Sequence, residues 1–530
     1  MQSSISNTMP KHLKLIKKYS LIFLIFVAIL IIGFYYYNKN VREEITIPAC
    51  TDCNVIIIDL GTVRSDHLGS YGYFRNTSPN IDDLARDGVV FKNTFSQSSY
   101  TLPSVMSMFT SLYPISHQMN IPLRDNLNPN VLTLAQILKV YNYTTVWVGP
   151  FNDENLPLGY GIDRGFKNYY NARVSLFNPK IIYWTEASNW LENNANKTKF
   201  FMYLHTYRSH TPYVSVDEVI KRFTNTTNPK IPSSYEEIME MAWKRINDNP
   251  SVIFKEETIE KNSEIFNMNY SYEKKLKMFE LTKNFNNIHA TLSNVLNSVY
   301  FANVNLTDAE DIQYLKTLYD ATIFESDLDV KHIVEKIDET GVRNKTIIII
   351  TSAHGEELMD HGEFKHARTL YEEVINIPLM FLIPNFKLDK PVEGLVQSID
   401  IMPTVLDLLN ITIPAQAQGI SLVSMIENKE DAPHNEYVYG ELHLSSGLVS
   451  VRSKEWKYIV DLKENKTELY DLINDPGETN NLATIRKDVV QIFEREFEKY
   501  MSAEKFTQII EFPQWISNET KTKIEKEGYW

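Results

Sequence analysis

Short β-branched runs recur through the middle of the chain. The first, Val55-Ile56-Ile57-Ile58, has no polar alternation, the pattern of a strand buried on both faces of a parallel sheet. Comparable runs lie at Thr144–Val148, Phe200–Leu204, Thr346–Ile350 and Ile377–Ile383, and between them stand helix-like stretches at Val131–Tyr141, Pro179–Asn194 and Asp308–Glu339. This alternation predicts an α/β domain over residues 54–430 with a central, mostly parallel sheet. In such sheets the chemistry sits at the carboxyl ends of the strands. Residues from about 214 to 307 depart from the pattern. They are polar, rich in Asn, Lys and Glu, with helical stretches at Tyr235–Asn247 and Tyr272–Asn297, and they read as a helical insertion. Further on, short strand-like pieces (Glu436–Glu441, Leu448–Arg452, Trp456–Val460, Glu468–Asp471) precede a helix near Leu482–Ala503, which predicts a small α+β subdomain over residues 431–530.

One run differs in kind. Leu21–Tyr37 carries no charge over 17 residues, just long enough to cross a hydrocarbon core of ~30 Å as a helix. Its three closing tyrosines suit a membrane–water boundary, and four lysines before the run against Lys39 and Arg42 after it favour a cytoplasmic N-terminus. The run is longer than the apolar part of a cleaved signal and ends in no small-residue cleavage site. It therefore predicts a cytoplasmic tail (1–20), a transmembrane anchor (21–37) and a stalk (38–53), in a single-pass protein of the cell membrane with an extracytoplasmic body. Ten Asn-x-Ser/Thr sequons, from Asn76 to Asn518, fit a glycosylated exterior. The only cysteines, Cys50 and Cys53, suit a small local disulfide there, since a zinc site would need two further ligands.

Charge narrows the partners. The first 42 residues hold six of the 53 basic residues and no acid, which leaves 47 basic against 67 acidic residues in the rest. A body so acidic is unsuited to gripping phosphate backbones, so nucleic acid is excluded as a partner. An apolar helix without a small-residue pairing motif does not fix the oligomeric state.

The segments that follow the predicted strands carry the candidate chemistry. They are Asn54 to Gly69 (NVIIIDLGTVRSDHLG), Ser98 to Ser104 (SSYTLPS), His205 to Tyr213 (HTYRSHTPY) and Thr351 to Glu357 (TSAHGEE), followed by His361 to His366 (HGEFKH), Thr369 to Glu373 (TLYEE), Glu468 to Leu472 (ELYDL) and Asp475 to Glu478 (DPGE). In this order and spacing, from Asn54 to about Ala483, the chain resembles the sulfatase family of the alkaline-phosphatase superfamily. The resemblance implies an alkaline-phosphatase-like three-layer sandwich. It also implies displacement at the sulfur or phosphorus of an ester by a nucleophile at a helix N-terminus, beside a divalent cation (Ca, Mg, Mn or Zn) held by carboxylates. Histidines then bind the oxygens of the transferred group or protonate the leaving alcohol.

Several positions depart from the family's pattern. Seven residues on from Asn54, where a ligand aspartate is expected, stands Gly61, and the aspartate of the later Ser-Asp-His-Gly-Glu pattern is replaced by Ala353. Of the implied metal shell only His354 remains competent, with Thr62 offering a hydroxyl. Asp59 projects to the same face as Gly61 but starts ~6–7 Å too deep, so it would need a slip of the strand. The nucleophile segment reads Thr101-Leu102-Pro103-Ser104-Val105. Threonine cannot become the formylglycine of many sulfatases, yet related phosphoryl transferases and phosphodiesterases use an unmodified threonine. Val105 stands where a basic residue would help stabilise negative charge.

By resemblance, then, Thr101 is the nucleophile and His205, His210 and His366 are its partners around the ester. Arg64 and Asp66 suit bracing of the first strand turn equally well. Two functions remain open: a hydrolase or transferase of sulfate or phosphate esters on a glycan, lipid or envelope component, or an inactive pseudo-sulfatase that binds or scaffolds at the cell surface.

Overall fold

The run Val55–Ile58 lies at the centre of an eight-stranded sheet. In the computed structural model, which describes residues 27–28 and 45–502 other than 123, 151–155, 157, 172–183, 229, 249–296, 298, 303, 430 and 443–446, the sheet is built from β1 (Asn54–Asp59), β2 (Val89–Phe95), β3 (Thr144–Gly149), β4 (Asn168–Asn171), β5 (Phe200–His205), β6 (Thr346–Thr351), β9 (Asn376–Leu382) and β10 (Val392–Gln397). Its order is β10-β2-β9-β6-β1-β5-β3-β4. Only β9 runs against its neighbours, β2 and β6. Strand β1 pairs in parallel with β5 and β6, in a register that sets Asp59 opposite His205 and Thr351. A small hairpin, β7 (Glu357–Leu358) with β8 (Phe364–Lys365), stands beyond the end of β6.

Side-chain alternation produces three layers. Ile56 and Ile58 join Val146, Met202, Leu204, Ile348 and Ile350 on one face, beneath the helices Thr185–Asn194 and Ala309–Glu339. Val55 and Ile57 join Trp147, Phe201, Tyr203, Ile347 and Ile349 on the other, beneath the helices Thr101–Thr110, Leu134–Val140 and Ile401–Leu408. Each of the four apolar residues of β1 is fully buried, a contribution of about 1.5–3 kcal/mol per side chain. Four of the five predicted strands, β1, β3, β5 and β6, lie parallel and are each one or two residues longer than their apolar runs, while the fifth, β9, keeps its length and is antiparallel.

At the C-terminal end, β11 (Val438–Leu442), β12 (Leu448–Arg452), β13 (Trp456–Asp461) and β14 (Lys466–Asp471) form an antiparallel meander. The helix Lys487–Met501 lays Val489 and Phe493 onto Val451, Tyr458 and Leu469. Val438 and Leu442 belong to the main core, so this subdomain is continuous with the body; the described residues from Ile47 on form one compact unit. Residues 47–53, read as stalk, correct that boundary: Ile47, Cys50 and Cys53 are buried in the same core, and Cys50 and Cys53 are joined as a disulfide. The anchor (21–37) apart from residues 27–28, the stretch 272–296 of the expected second insertion helix and the chain beyond 502 lie outside the described residues. Among those described, no helix is long and apolar enough to cross a membrane.

Candidate active site

The carboxyl ends of β1, β5 and β6 meet at one buried carboxylate. Asp59 Oδ1 accepts the backbone N–H of Gly61 (2.8 Å) and of Ala353 (2.9 Å), and Oδ2 accepts the Tyr203 hydroxyl (2.6 Å) and faces Nδ1 of His205 (2.9 Å). Burial alone would raise its pKa, but the His205 imidazole and these hydrogen bonds bring it below the usual carboxylate range. Tyr203 is itself fixed by packing, its ring 4.8 Å from Phe109 and 5.1 Å from Trp147. No slip of the strand brings Asp59 upward. Its four partners lie within the sheet end, and His205 meets it through Nδ1.

Gly61 has φ +73°, and a Cβ placed there would stand 2.3 Å from the carbonyl oxygen of Thr206. Its own carbonyl accepts the N–H of Ala353 (3.1 Å) and His354 (3.3 Å). Thr62 donates its hydroxyl to the Ser209 carbonyl (2.7 Å) and lies 3.0 Å from Ser209 Oγ. The family's hard cation does not fit these residues. One carboxylate position is glycine in a backbone conformation that excludes a side chain, the other is alanine, and the nearby hydroxyl and carboxylate are engaged elsewhere. A hard dication needs several oxygen ligands, and no group of three His, Cys, Asp or Glu side chains converges on one point among the described residues.

The nucleophile position is better furnished. Thr101 opens the ten-residue helix Thr101–Thr110, whose first-turn amides face outward and whose Pro103 gives up an N–H that would have had no partner. Its Oγ1 lies 3.1 Å from Nε2 of His354. Nδ1 of His354 faces the Gly355 carbonyl at 2.8 Å, so that nitrogen carries the proton and Nε2 accepts from Thr101. Burial, then the neighbouring His366, holds the His354 pKa well below its ordinary value. His366 lies beside it, ring centres 4.4 Å apart, and His210 beyond at 4.9 Å from His366. His210 directs Nδ1 at the Thr211 carbonyl (2.8 Å), and His366 directs Nδ1 at Glu356 Oε1 (2.9 Å). Burial pushes Glu356 up to about 8, and burial keeps His366 at about 3 and His210 at about 4. At neutral pH the Glu356 carboxyl thus donates to Nδ1 of His366 and leaves Nε2–H of His366 as a donor.

The structure brings Thr101, His354, His366 and His210 together and leaves Asp59, His205 and Thr62 in the structural layer beneath. Glu356 joins this group through His366, and its place two residues after His354 is the one signal of it in the sequence. Arg64 braces the strand turn, reaching Asp66 at 2.8 Å and Asp360 at 2.7 Å.

The Sulfatase family model matches residues 53–411, and an N-sulphoglucosamine sulphohydrolase C-terminal model matches residues 359–505. The chain belongs to the sulfatase family. Among its relatives, an N-acetylglucosamine-6-O-sulfatase of Bacteroides thetaiotaomicron is 23% identical over 494 residues, 84% of this chain and 86% of that one. Among solved structures, a protein in complex with its substrate D-glucosamine-2-N,6-O-disulfate superposes with a TM-score of 0.62 at 18% identity, over 86% of this chain and 100% of that chain. A phosphonate monoester hydrolase of Agrobacterium radiobacter superposes with a TM-score of 0.62 at 19% identity, over 85% and 95%. These two solved structures share the fold with the present chain.

Proposed function

We propose that this sulfatase-family protein is a hydrolase or transferase of a sulfate or phosphate ester borne on an extracellular glycan, lipid or envelope component, with Thr101 as its nucleophile. The observation that carries the reading is the Thr101 Oγ1–His354 Nε2 contact of 3.1 Å at a helix N-terminus. Thr101 Oγ1 attacks the sulfur or phosphorus and passes its proton to His354 Nε2. The amides of the first helical turn receive the oxygens of the transferred group. The bond to the ester oxygen breaks as His366 Nε2–H protonates the departing alcohol while the Glu356 carboxyl passes its proton to Nδ1 of His366 and becomes a carboxylate, and water then releases the group from Thr101 or a second alcohol accepts it. The relative that acts on N-acetylglucosamine and the solved complex with a glucosamine disulfate support a sulfated amino sugar as the first class of substrate to try.

A second reading, a binding module without turnover, is favoured by one observation. Neither arginine of the matched motifs is available to the ester, since Arg64 holds Asp66 and Asp360 and Arg208 holds Asp329 and Glu325, and Lys365 Nζ rests 4.6 Å from the Phe301 ring centre. The test is a panel of aryl sulfates, aryl phosphate mono- and diesters and sulfated glucosamines, with the full chain and its Thr101→Ala and Thr101→Ser variants. Turnover abolished by Thr101→Ala and partly kept by Thr101→Ser is expected. Binding of sulfated sugar with no turnover of any ester would instead establish the second reading.

The same reading sets the body outside the cytoplasm on a single anchor at 21–37, supported by the uncharged 17-residue run and its lysine flank. External protease on intact cells would then digest the body and spare the tail.

A further inference from the structure

Glu356 and His366, joined at 2.9 Å, stand immediately before β7 and immediately after β8. The hairpin is the loop that closes this pair, so its shape sets where His366 points. That shape is strained. Met359 (φ +70°), Lys365 (φ +79°) and Ala367 (φ +62°) all adopt the left-handed conformation, which brings the Cβ of an L-residue too close to the following carbonyl oxygen. Against this the hairpin supplies two ladder pairs, Glu357 with Lys365 and Leu358 with Phe364, and the Met359 N–H donated to the Glu363 carbonyl at 2.8 Å. Strain of this kind persists only where the surroundings over-determine the segment.

The surroundings grip the tip at two adjacent residues. Asp360 is held by Arg64 at 2.7 Å. His361 is held on three sides: Nδ1 lies 2.5 Å from Glu373 Oε1, Nε2 lies 3.2 Å from the Glu478 carbonyl oxygen, and the ring stacks on Tyr371 with centres 3.6 Å apart. A carbonyl oxygen and an ionised carboxylate can only accept, so both ring nitrogens donate and the imidazole is charged. Further acidic groups surround it, Glu357 from its own hairpin and the carboxylates of Asp475 and Glu478 from the segment after β14. The buried cation of β13, Lys457, is turned to Glu372 and Glu478 instead. The grip on Asp360 rests on a permanent charge. The grip on His361 does not, since loss of one proton leaves one of its two acceptors without a donor.

We infer that His361 is a positioning residue for His366: as an imidazolium it pins the tip of the strained hairpin to Glu373 and to the C-terminal subdomain, and its deprotonation lets the hairpin relax and turn His366 away from the ester. Burial opposes the charge on His361, but Glu373 raises its pKa to about 9. The hairpin is therefore pinned at neutral pH and released as the pH passes that value. The inference rests on the reading of His366 as the acid that protonates the departing alcohol, but it is tested without substrate.

The full chain is labelled with carbon-13 at the histidine rings and methionine methyls and followed by NMR, each signal assigned by a single substitution. The His361 ring is expected to stay charged through neutral pH and to titrate at about 9. The Met359 methyl, packed against the main core, should move with the same midpoint while that of Met202 stays fixed. At about pH 6.5, below the value of about 8 to which burial pushes Glu356, His361→Gln should displace the His366 signal and speed amide exchange over residues 357–367 about 10-fold. His361→Arg, planar and permanently charged, should leave both as in the wild type. Should either variant fail to fold, the wild-type Met359 titration decides. A Met359 methyl indifferent to the His361 transition, or a His366 signal unmoved by His361→Gln, overturns the inference. Displacement of His366 in a chain that turns over no ester leaves it standing and removes the catalytic reading; turnover whose kcat and pH profile are unaltered in His361→Gln does the reverse.

Discussion

Restoring the missing aspartate at position 61 will not restore the family's metal site, and will cost stability. At Gly61, φ is +73°, and the first side-chain carbon would stand 2.3 Å from the Thr206 carbonyl oxygen. The left-handed conformation costs an L-residue roughly 1–2 kcal/mol. The overlap is with backbone, and Thr206 is itself fixed by its N–H to the Asp59 carbonyl at 3.1 Å, so relief requires a shift of two strand ends. Overpacking of this kind costs about 1–3 kcal/mol. Gly61→Asp is therefore expected to lose about 2–5 kcal/mol in total. The measurement is urea unfolding of the full chain followed by tryptophan fluorescence, since Trp147 and Trp184 are fully buried, and it reads a lower midpoint at unchanged slope. Calcium should not raise the midpoint of the variant. A Gly61→Asp chain as stable as wild type, or one that calcium stabilises, would refute the closed-site argument.

Asp59→Asn should lose about 3–5 kcal/mol, because it removes the charge facing His205 and puts an amide N–H₂ among three or four donors; a change below about 1 kcal/mol in urea unfolding would sink its assignment as the tie of three strands. Arg208→Ala leaves Asp329 and Glu325 buried without their cation and should cost about 3–5 kcal/mol, a loss read in the same unfolding curves. His361, which lies against Glu373 at 2.5 Å and stacks on Tyr371 with ring centres 3.6 Å apart, is opposed by burial but raised by Glu373 to about 9. Its contribution is complete below the ordinary histidine pKa near 6.5 and is lost as pH rises toward 9, so the wild-type stability should decline over that interval and His361→Gln should flatten the decline.

The apolar runs by themselves determined the middle of the sheet, because strands buried on both faces need uninterrupted hydrophobic sequence: β1, β3, β5 and β6 were legible for that reason. Strands β4 (NYYN) and β10 (VEGLVQ) were not, since they are the two edges and carry polar residues where the central strands do not. β2 (VVFKNTF) was missed too, its polar middle half-exposed and its pairing with β9 broken by a register shift. The order and spacing of the strand-end motifs gave the family, and that positions 61 and 353 carry no carboxylate could be read from the residues alone. Whether the fold leaves room for a side chain at Gly61 could not. Only the fold shows the Thr206 carbonyl in the space a side chain would need, and only the fold joins the Gly61 and Ala353 amides, 292 positions apart in sequence, on one oxygen of Asp59. The same holds for the histidines. Their residue types were plain in the sequence, but the direction of each ring depends on which oxygen its Nδ1 meets, and for His366 that partner is fixed by how the strand end after β6 turns back through the β7–β8 hairpin.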